Sequence, residues 1–208
     1  STRKRMSFAY VKLNNCGCEA LRAARMIGRN LLLLTTLCVL GCSVSADLDD
    51  NERALLVTEA DFKEFGPPIQ SGVTGKYSKL TKYLEQKVEL SYKLDASAPG
   101  FYLVNIVTIE PSAAHALLTH AALKTGLMIG LKSNGIVEEP LKLGSSYGEK
   151  ASLSLLKRSG KPIGNVFMSI VGRKVYLLVF YEIHFDDAEA FGTFIAQKMD
   201  TFTRYDAR

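Results

Sequence analysis

The feature that most constrains this chain of 208 residues is a short apolar run over residues 31–40. The run is apolar apart from Thr35 and Thr36, and Arg29 stands just before it. Its ten residues are too few to cross a bilayer, because a transmembrane helix needs about 20 apolar residues. A basic residue, a short apolar stretch and an immediate return to polar sequence are typical of a signal segment that export removes. We therefore expect a boundary between two unlike parts of the chain directly after this run.

Val39, Leu40, Gly41 and Cys42 end the apolar run. They resemble the lipobox of bacterial lipoproteins, in which small residues precede an obligatory cysteine that carries the lipid, although Leu40 is bulkier than the usual residue there. The resemblance implies lipidation of Cys42, a membrane partner through that lipid, and a place in the bacterial cell envelope. Ser43 implies the outer membrane, facing the periplasm, as in Gram-negative lipoproteins that the inner membrane does not retain. The alternatives are a buried apolar helix with an unrelated cysteine, or an uncleaved N-terminal anchor.

This boundary divides the chain into four expected parts. Residues 1–25 hold six Lys or Arg and one Glu without apolar periodicity, so we expect a non-native or upstream extension, with translation starting at Met26. The alternative is a long basic signal n-region. Residues 26–41 are the expected signal peptide, and 42–53 the lipidated cysteine with a polar tether. Residues 54–208 are long enough for one globular α+β domain.

Charge and cysteine content also change at this boundary. Residues 1–41 hold seven basic and one acidic side chain, and removing these from the totals of 26 and 21 leaves 19 basic and 20 acidic. A domain with a net charge of −1 has no broad basic surface, so we expect no nucleic acid partner. All four cysteines precede Ser43, which excludes disulfide bonds and thiol chemistry from the domain. They are Cys16, Cys18, Cys38 and Cys42.

Apolar alternation and continuous apolar runs predict a mostly antiparallel sheet of six or seven strands. The clearest strands cover residues 88–94, 101–109, 137–143, 151–155, 163–171 and 174–185. The run at 101–109 is almost wholly apolar, which indicates a central strand covered on both faces. Gly172 and Arg173 separate the last two strands and predict a tight hairpin turn.

Three helices are expected beside the sheet. A short helix begins near Thr58, with Phe62 and Phe65 buried, and ends before Gly66. A long helix runs from Pro111 to Gly135. Its expected buried face consists of Ala114, Leu117, Leu118, Ala121 and Met128.

The third helix is C-terminal and amphipathic. We expect Asp186 to cap it with Glu189 three residues on. Its expected buried stripe consists of Ala188, Phe191, Ile195, Met199 and Phe202. The central strands and this helix can hide their apolar faces only against each other. We therefore expect a core of Leu103, Val107, Leu178, Phe180, Phe191 and Ile195.

The order of elements resembles a known family. A glycine-turned hairpin whose second strand, VYLLVFYEIHF, leads into a C-terminal amphipathic helix is similar to the closing half of PsbP-like and DcrB-like domains. The resemblance covers roughly residues 88–205, and these families include many envelope lipoproteins. It implies an α+β sheet sandwiched by helices and a non-catalytic binding or assembly role. No site residue is carried over.

Candidate chemistry is sparse. GVTGKYS at 72–78 lacks the spacing of a phosphate loop. His115 and His120 are five apart and do not share a helix face. Glu182, His184 and Asp186 alternate and could bind a metal or transfer protons, although a solvent-exposed strand end explains them more simply. We therefore expect no catalytic residues, no metal and no cofactor.

Three classes of function follow. We expect a lipid-anchored, non-catalytic binding or assembly module with an envelope protein partner. The second class is a carrier of an apolar ligand or lipid, held between the sheet and the helix that starts at Pro111. The third is an enzyme built on the acid–histidine residues 182–186. One suggested binding surface is the final hairpin, where Lys174, Glu182 and His184 are expected to project.

Overall fold

A computed structural model describes residues 43–64, 75–94, 101–144 and 147–206. These residues form an α+β fold around one antiparallel sheet of eight strands. The strands are β1 (Ser43–Ala46), β2 (Gly75–Lys82), β3 (Lys87–Leu94), β4 (Tyr102–Ile109), β5 (Ile136–Leu141), β6 (Ser152–Arg158), β7 (Lys161–Val171) and β8 (Lys174–Tyr181). The helices are α1 (Asp50–Ala54), a 3₁₀ helix (Glu59–Phe62), α2 (Ala113–Ser133) and α3 (Ala188–Arg204).

The strands lie in the order β1-β2-β3-β4-β8-β7-β6-β5. The chain meanders from the β1 edge to the centre at β4, and α2 then carries it across to the opposite edge at β5. From there three further antiparallel pairings bring it back to the centre, where β8 pairs with β4. The predicted α+β class and the antiparallel arrangement are thus confirmed, whereas the sheet has eight strands instead of the six or seven expected.

One face of the sheet packs against α3 and the 3₁₀ helix. Strand residues two apart share a face, so Leu103 and Val107 of β4 lie beside Phe180 and Tyr176 of β8. Phe191 of α3 packs into this cluster. All six residues expected in the core are fully buried: Leu103, Val107, Leu178, Phe180, Phe191 and Ile195.

A buried asparagine joins this face to the N-terminal segment. Asn105 Oδ1 accepts hydrogen bonds from the backbone N–H of Val57, at 2.6 Å, and from the hydroxyl of Tyr176, at 3.0 Å. Its Nδ2 donates to the carbonyl of Leu177 at 2.8 Å. Because every polar atom of this side chain has a partner, the amide can be buried without the usual penalty.

Helix α2 covers part of the other face. Ala116, His120 and Leu131 are its buried residues. Leu131 packs with Leu156, Val166, Met168, Leu177 and Val179 of the sheet. The sheet is therefore held between α2 on one side and α3 on the other.

The structure has two strands that the apolar pattern does not predict. Strand β2 reads GKYSKLTK and has no fully buried residue. A strand near the edge of a sheet needs little apolar surface, so its sequence of mostly polar residues resembles that of a loop. Residues 43–53, expected to be a tether, instead contain β1 and α1. Helix α1 is fixed by a capping box between Asp49 and Glu52.

Several helices and strands begin or end at residues other than those predicted. The 3₁₀ helix begins after Thr58 and buries Phe62, as expected, while Phe65 and Gly66 lie outside the described residues. Asp187, not Asp186, caps α3 by accepting a hydrogen bond from the N–H of Ala190. Gly172 has the positive φ, 58°, that the tight turn requires.

The last strand, predicted to reach residue 185, ends at Tyr181. Glu182 takes a φ of 75°, a left-handed conformation that does not continue a strand. Its N–H still donates to the carbonyl of Ile163 at 2.8 Å, which closes the pairing with β7. Residues 183–185 consequently form a loop that leads into α3.

Within the described ranges, no helix has both the length and the apolar character needed to cross a membrane.

Candidate interaction surface

One apolar surface of the domain is the side of α2 that points away from the sheet. It consists of Ala114, Leu117, Leu118, Ala121, Ala122, Thr125, Met128 and Ile129, all exposed, and we call it the outward face of α2. Leu118 is 69% and Ile129 53% exposed. Four of these side chains are large and apolar, and exposed apolar patches on a monomer often serve a function.

This finding corrects the sequence expectation. The five residues predicted to be buried are all exposed: Ala114, Leu117, Leu118, Ala121 and Met128. The buried side is instead formed by Ala116 and Leu131, with Leu123 and Leu127 half-buried beside them. Helix α2 is apolar on both sides, so its amphipathic period does not identify the buried one.

The position of α2 on the sheet is fixed at its N-terminal end. The hydroxyl of Ser112 accepts a hydrogen bond from the N–H of His115 and so caps the helix. Glu110 is buried and pairs with Lys87 of β3 at 2.8 Å. The hydroxyl of Thr119 donates to the same Glu110 carboxylate at 2.8 Å. These contacts orient the helix so that the outward face stays in solvent.

His120 lies on the buried side of α2. Among the described residues its Nε2 has no hydrogen-bond partner. Burial lowers the pKa of His120, and the positive charges of Lys124 and Lys150 lower it further. Both effects favour the neutral form of the ring. His115 is exposed on the other side of the helix, as the five-residue spacing predicts.

A cavity of about 270 Å³ opens between α2 and strands β5, β6 and β7. This is where the carrier hypothesis places a ligand. Ligand pockets usually enclose about 300–1,000 Å³, and charged or hydroxyl groups interrupt the apolar wall here. The lining includes Lys124, Glu138, Ser152, Ser154, Leu127 and Met168. The cavity is small and mixed in polarity for an apolar ligand.

The acid–histidine residues do not form a site with several converging groups. Glu182, His184 and Asp186 lie beyond the end of β8 and are exposed. His184 Nε2 is 3.6 Å from the carboxylate of Asp186, a contact across solvent-exposed side chains. In the described part of the chain, no group of three or more His, Cys, Asp and Glu is placed to hold a metal ion.

Lys174, expected to project from the final hairpin, is buried instead. Its ammonium group donates to backbone carbonyls at the end of α3, those of Phe202, Thr203 and Tyr205. Burial lowers the pKa of Lys174, an effect that Asp206 opposes. The final hairpin therefore lacks one of the three side chains that made it a suggested binding surface.

Cys42 and the lipobox residues Val39, Leu40 and Gly41 lie outside the described residues. The next residue, Ser43, begins β1 and pairs with Lys82 at the end of β2. The turn between β2 and β3 follows Lys82. Its Tyr83 and Leu84 are 64% and 81% exposed. The chain thus leaves the domain toward Cys42 beside two exposed apolar side chains, which sequence patterning did not single out.

Comparison with known proteins gives no match to a protein-family profile, to a curated protein or to a solved structure.

Proposed function

We propose that this protein is a lipid-anchored, non-catalytic module of the bacterial cell envelope that binds another protein through the outward face of α2. The observation that carries the binding role is the exposure of Leu117, Leu118, Met128 and Ile129 along one side of a single helix. Exposed apolar patches commonly mark interaction sites. The apolar run at 31–40 and Cys42 support the lipid anchor.

The position of β1 determines how such an anchor would hold the domain. Because Ser43 is already paired in the sheet, no flexible spacer separates Cys42 from the folded part. The turn that carries Tyr83 and Leu84 would then lie against the lipid headgroups. Tyrosine suits that depth, since its ring is apolar and its hydroxyl polar. We therefore propose that the β2–β3 turn and the lipid together seat the domain on the bilayer, in the outer membrane facing the periplasm.

The relation to PsbP-like and DcrB-like domains is also a proposal. It is supported by an antiparallel sheet between helices and by a hairpin, β7–β8, that leads into the C-terminal α3. In those families such a fold usually serves binding or assembly. This agrees with a surface that binds by apolar contact and needs no reactive group.

Reversible cross-linking in intact membranes, followed by purification of the tagged protein, tests the proposed binding. We expect one dominant partner, either another envelope protein or an untagged copy of this chain. Ala121→Glu should abolish its recovery, because a carboxylate in the middle of an apolar interface is costly to desolvate. Ala196→Glu places the same change on an exposed position of α3 and should leave recovery unchanged.

Recovery that Ala121→Glu does not affect would contradict binding through this face. The enzyme hypothesis is tested by His184→Ala. We expect this variant to capture the same partner as the wild type. If it loses a hydrolytic or metal-dependent activity that the wild type shows, the non-catalytic role is wrong.

A further inference from the structure

We propose that the partner of the outward face of α2 is a second copy of this chain, with the two α2 helices side by side and pointing the same way. This inference rests on the proposed function, because it names the partner and uses the membrane to set the orientation. Homodimers with a two-fold axis use one patch on both subunits. The outward face must therefore be complementary to itself.

The spacing of the outward face fits such self-pairing. Ala114, Leu118, Ala121, Thr125, Met128 and Lys132 alternate steps of four and three residues. This is the heptad seam along which two helices pack. In a parallel pair each residue meets its own copy. The seam then contains layers of leucine, alanine, threonine and methionine. The single lysine layer, Lys132, lies at the C-terminal end of the helix. A single Lys in a heptad seam specifies register and oligomer state at a cost in stability.

The sizes of the side chains along the seam also suit two crossing helices. Crossing helices are closest at one point and diverge on either side. Ala121 and Thr125 occupy the middle, where close approach requires small side chains. Leu117 and Leu118 on one side, and Met128 and Ile129 on the other, are large enough to fill the widening gap.

The sheet register determines that the pair is parallel. Ser43 lies opposite Lys82, and Val88 of the next strand lies opposite Ile109, which precedes α2. The chain therefore leaves toward Cys42 at the same end of the sheet where α2 begins. Two copies anchored in one membrane have these ends at the same level. Their α2 helices then run in the same direction, away from the bilayer.

The area of the face agrees with a dimer that forms on a membrane. Two copies bring together only the four large apolar side chains of each face, less than the roughly 1,200–2,000 Å² that stable specific interfaces bury. Such a pair is weak in solution, but anchoring both copies in one membrane raises their effective concentration. A lipid surface is a poorer match for α2, because interfacial helices carry a strongly charged face rich in Lys and Arg, and α2 holds only Lys124 and Lys132.

Site-specific photo-cross-linking of the full-length protein in membranes tests this arrangement. A benzophenone amino acid replaces Leu118, and the cross-linked peptides are identified by mass spectrometry. We expect a product of twice the monomer mass, joined to residues 114–122 of the second copy. Its yield should fall at least about tenfold with Ala121→Glu, since two facing like charges disfavour the pair. It should persist with Ala196→Glu. The same probe at Gln197, exposed on α3, should give no such product.

Other outcomes overturn the inference in distinguishable ways. A product joined to Met128 or Ile129 of the second copy would show antiparallel helices, since these residues lie about 15 Å further along α2. A cross-link to a different protein would contradict the dimer and leave the proposed binding function standing. Labelling of lipid or of residues 26–42 of the same chain would contradict both the dimer and the proposed binding function. Labelling no stronger than that of the Gln197 control would contradict both as well.

Discussion

Phe191 packs α3 against the sheet. It is fully buried, and its ring lies 5.3 Å from that of Phe167 and 5.7 Å from that of Phe185, centroid to centroid. We expect Phe191→Ala to lower the free energy of unfolding by about 3–5 kcal/mol, the usual cost of emptying a buried Phe site. Chemical denaturation measures this. Gln197→Ala, on the exposed side of α3, should stay within about 0.5 kcal/mol, and a loss below about 1 kcal/mol at Phe191 would contradict its burial.

His120 should make stability depend on pH. Its pKa in the folded protein lies below the ordinary 6.5 because of burial and of Lys124 and Lys150. When the pH falls below 6.5, His120 binds a proton in the unfolded chain before it does so in the folded protein. Stability from the neutral ring is therefore present above that pH and is lost as the pH falls toward the folded pKa, by at most about 1.4 kcal/mol per pH unit.

We expect His120→Leu to reduce this loss between pH 7 and pH 5, measured by urea denaturation at each pH. His115→Leu removes a histidine from the exposed side of the same helix and serves as the matched control. An unchanged pH dependence in His120→Leu would show that the ring is not held neutral.

Residue burial was predictable from sequence where one face of an element is apolar and the other polar. Phe191 and Ile195 are examples on α3, and both are buried. The same rule misplaced Leu118, because α2 carries apolar residues all around its axis. A helix of that composition indicates burial or contact on both sides. The composition of α2 is therefore itself a sequence signal for a second contact surface.

At the scale of elements, Lys174 joins β8 to the end of α3. Its ammonium group donates to the carbonyls of Thr203 at 3.0 Å and Tyr205 at 2.7 Å, as well as to that of Phe202. The last carbonyls of a helix lack intrahelical partners, and a cation there is favoured by the helix dipole.

We expect Lys174→Met to lower the free energy of unfolding by about 1.5–3 kcal/mol, the range for a hydrogen bond to a charged group. Hydrogen exchange should accelerate at residues 202–206, because the end of α3 frays. Lys161→Met, at an exposed position of β7, should change neither quantity. Equal exchange in wild type and Lys174→Met would show that the three contacts do not hold the helix end.

The central elements were predictable because they are strongly apolar or strongly periodic, as β4, β7, β8 and α3 are. Strands β1 and β2 were not, since they lie at and next to a sheet edge and their side chains are largely polar. Helix α1 depends on the Asp49–Glu52 capping box and on an ion pair between Glu52 and Lys79 of β2. That last contact joins residues 27 apart, which local sequence patterns do not reveal.

At the scale of the whole molecule, the proposed anchor and the proposed binding face begin at the same end of the sheet. The first residue of β1 and the β2–β3 turn lie at one end of the sheet. Helix α2 starts at that same end and extends along one face of the sheet. A domain seated on the bilayer by Cys42 and by Tyr83 and Leu84 would therefore hold the start of α2 near the membrane, with the outward face running away from the bilayer. There a second copy can meet it.

The exposed turn should contribute to membrane attachment independently of the lipid. We expect milder washing to release the double variant Tyr83→Ser, Leu84→Ser from membranes than is needed for the wild type. The reason is that each large apolar side chain withdrawn from lipid costs about 1.5–3 kcal/mol of binding free energy. Tyr77→Ser is the matched control on β2. Release at the same stringency as the wild type would show that the turn does not touch the bilayer.

The mass of the N-terminal peptide of protein purified from membranes tests the lipid anchor most directly. We expect the mature chain to begin at Cys42 and to carry a lipid there. We also expect Cys42→Ser to abolish both the lipid and the partition of the protein into detergent. An unmodified N-terminus at any other residue would contradict the anchor, and with it the orientation proposed for the domain on the membrane.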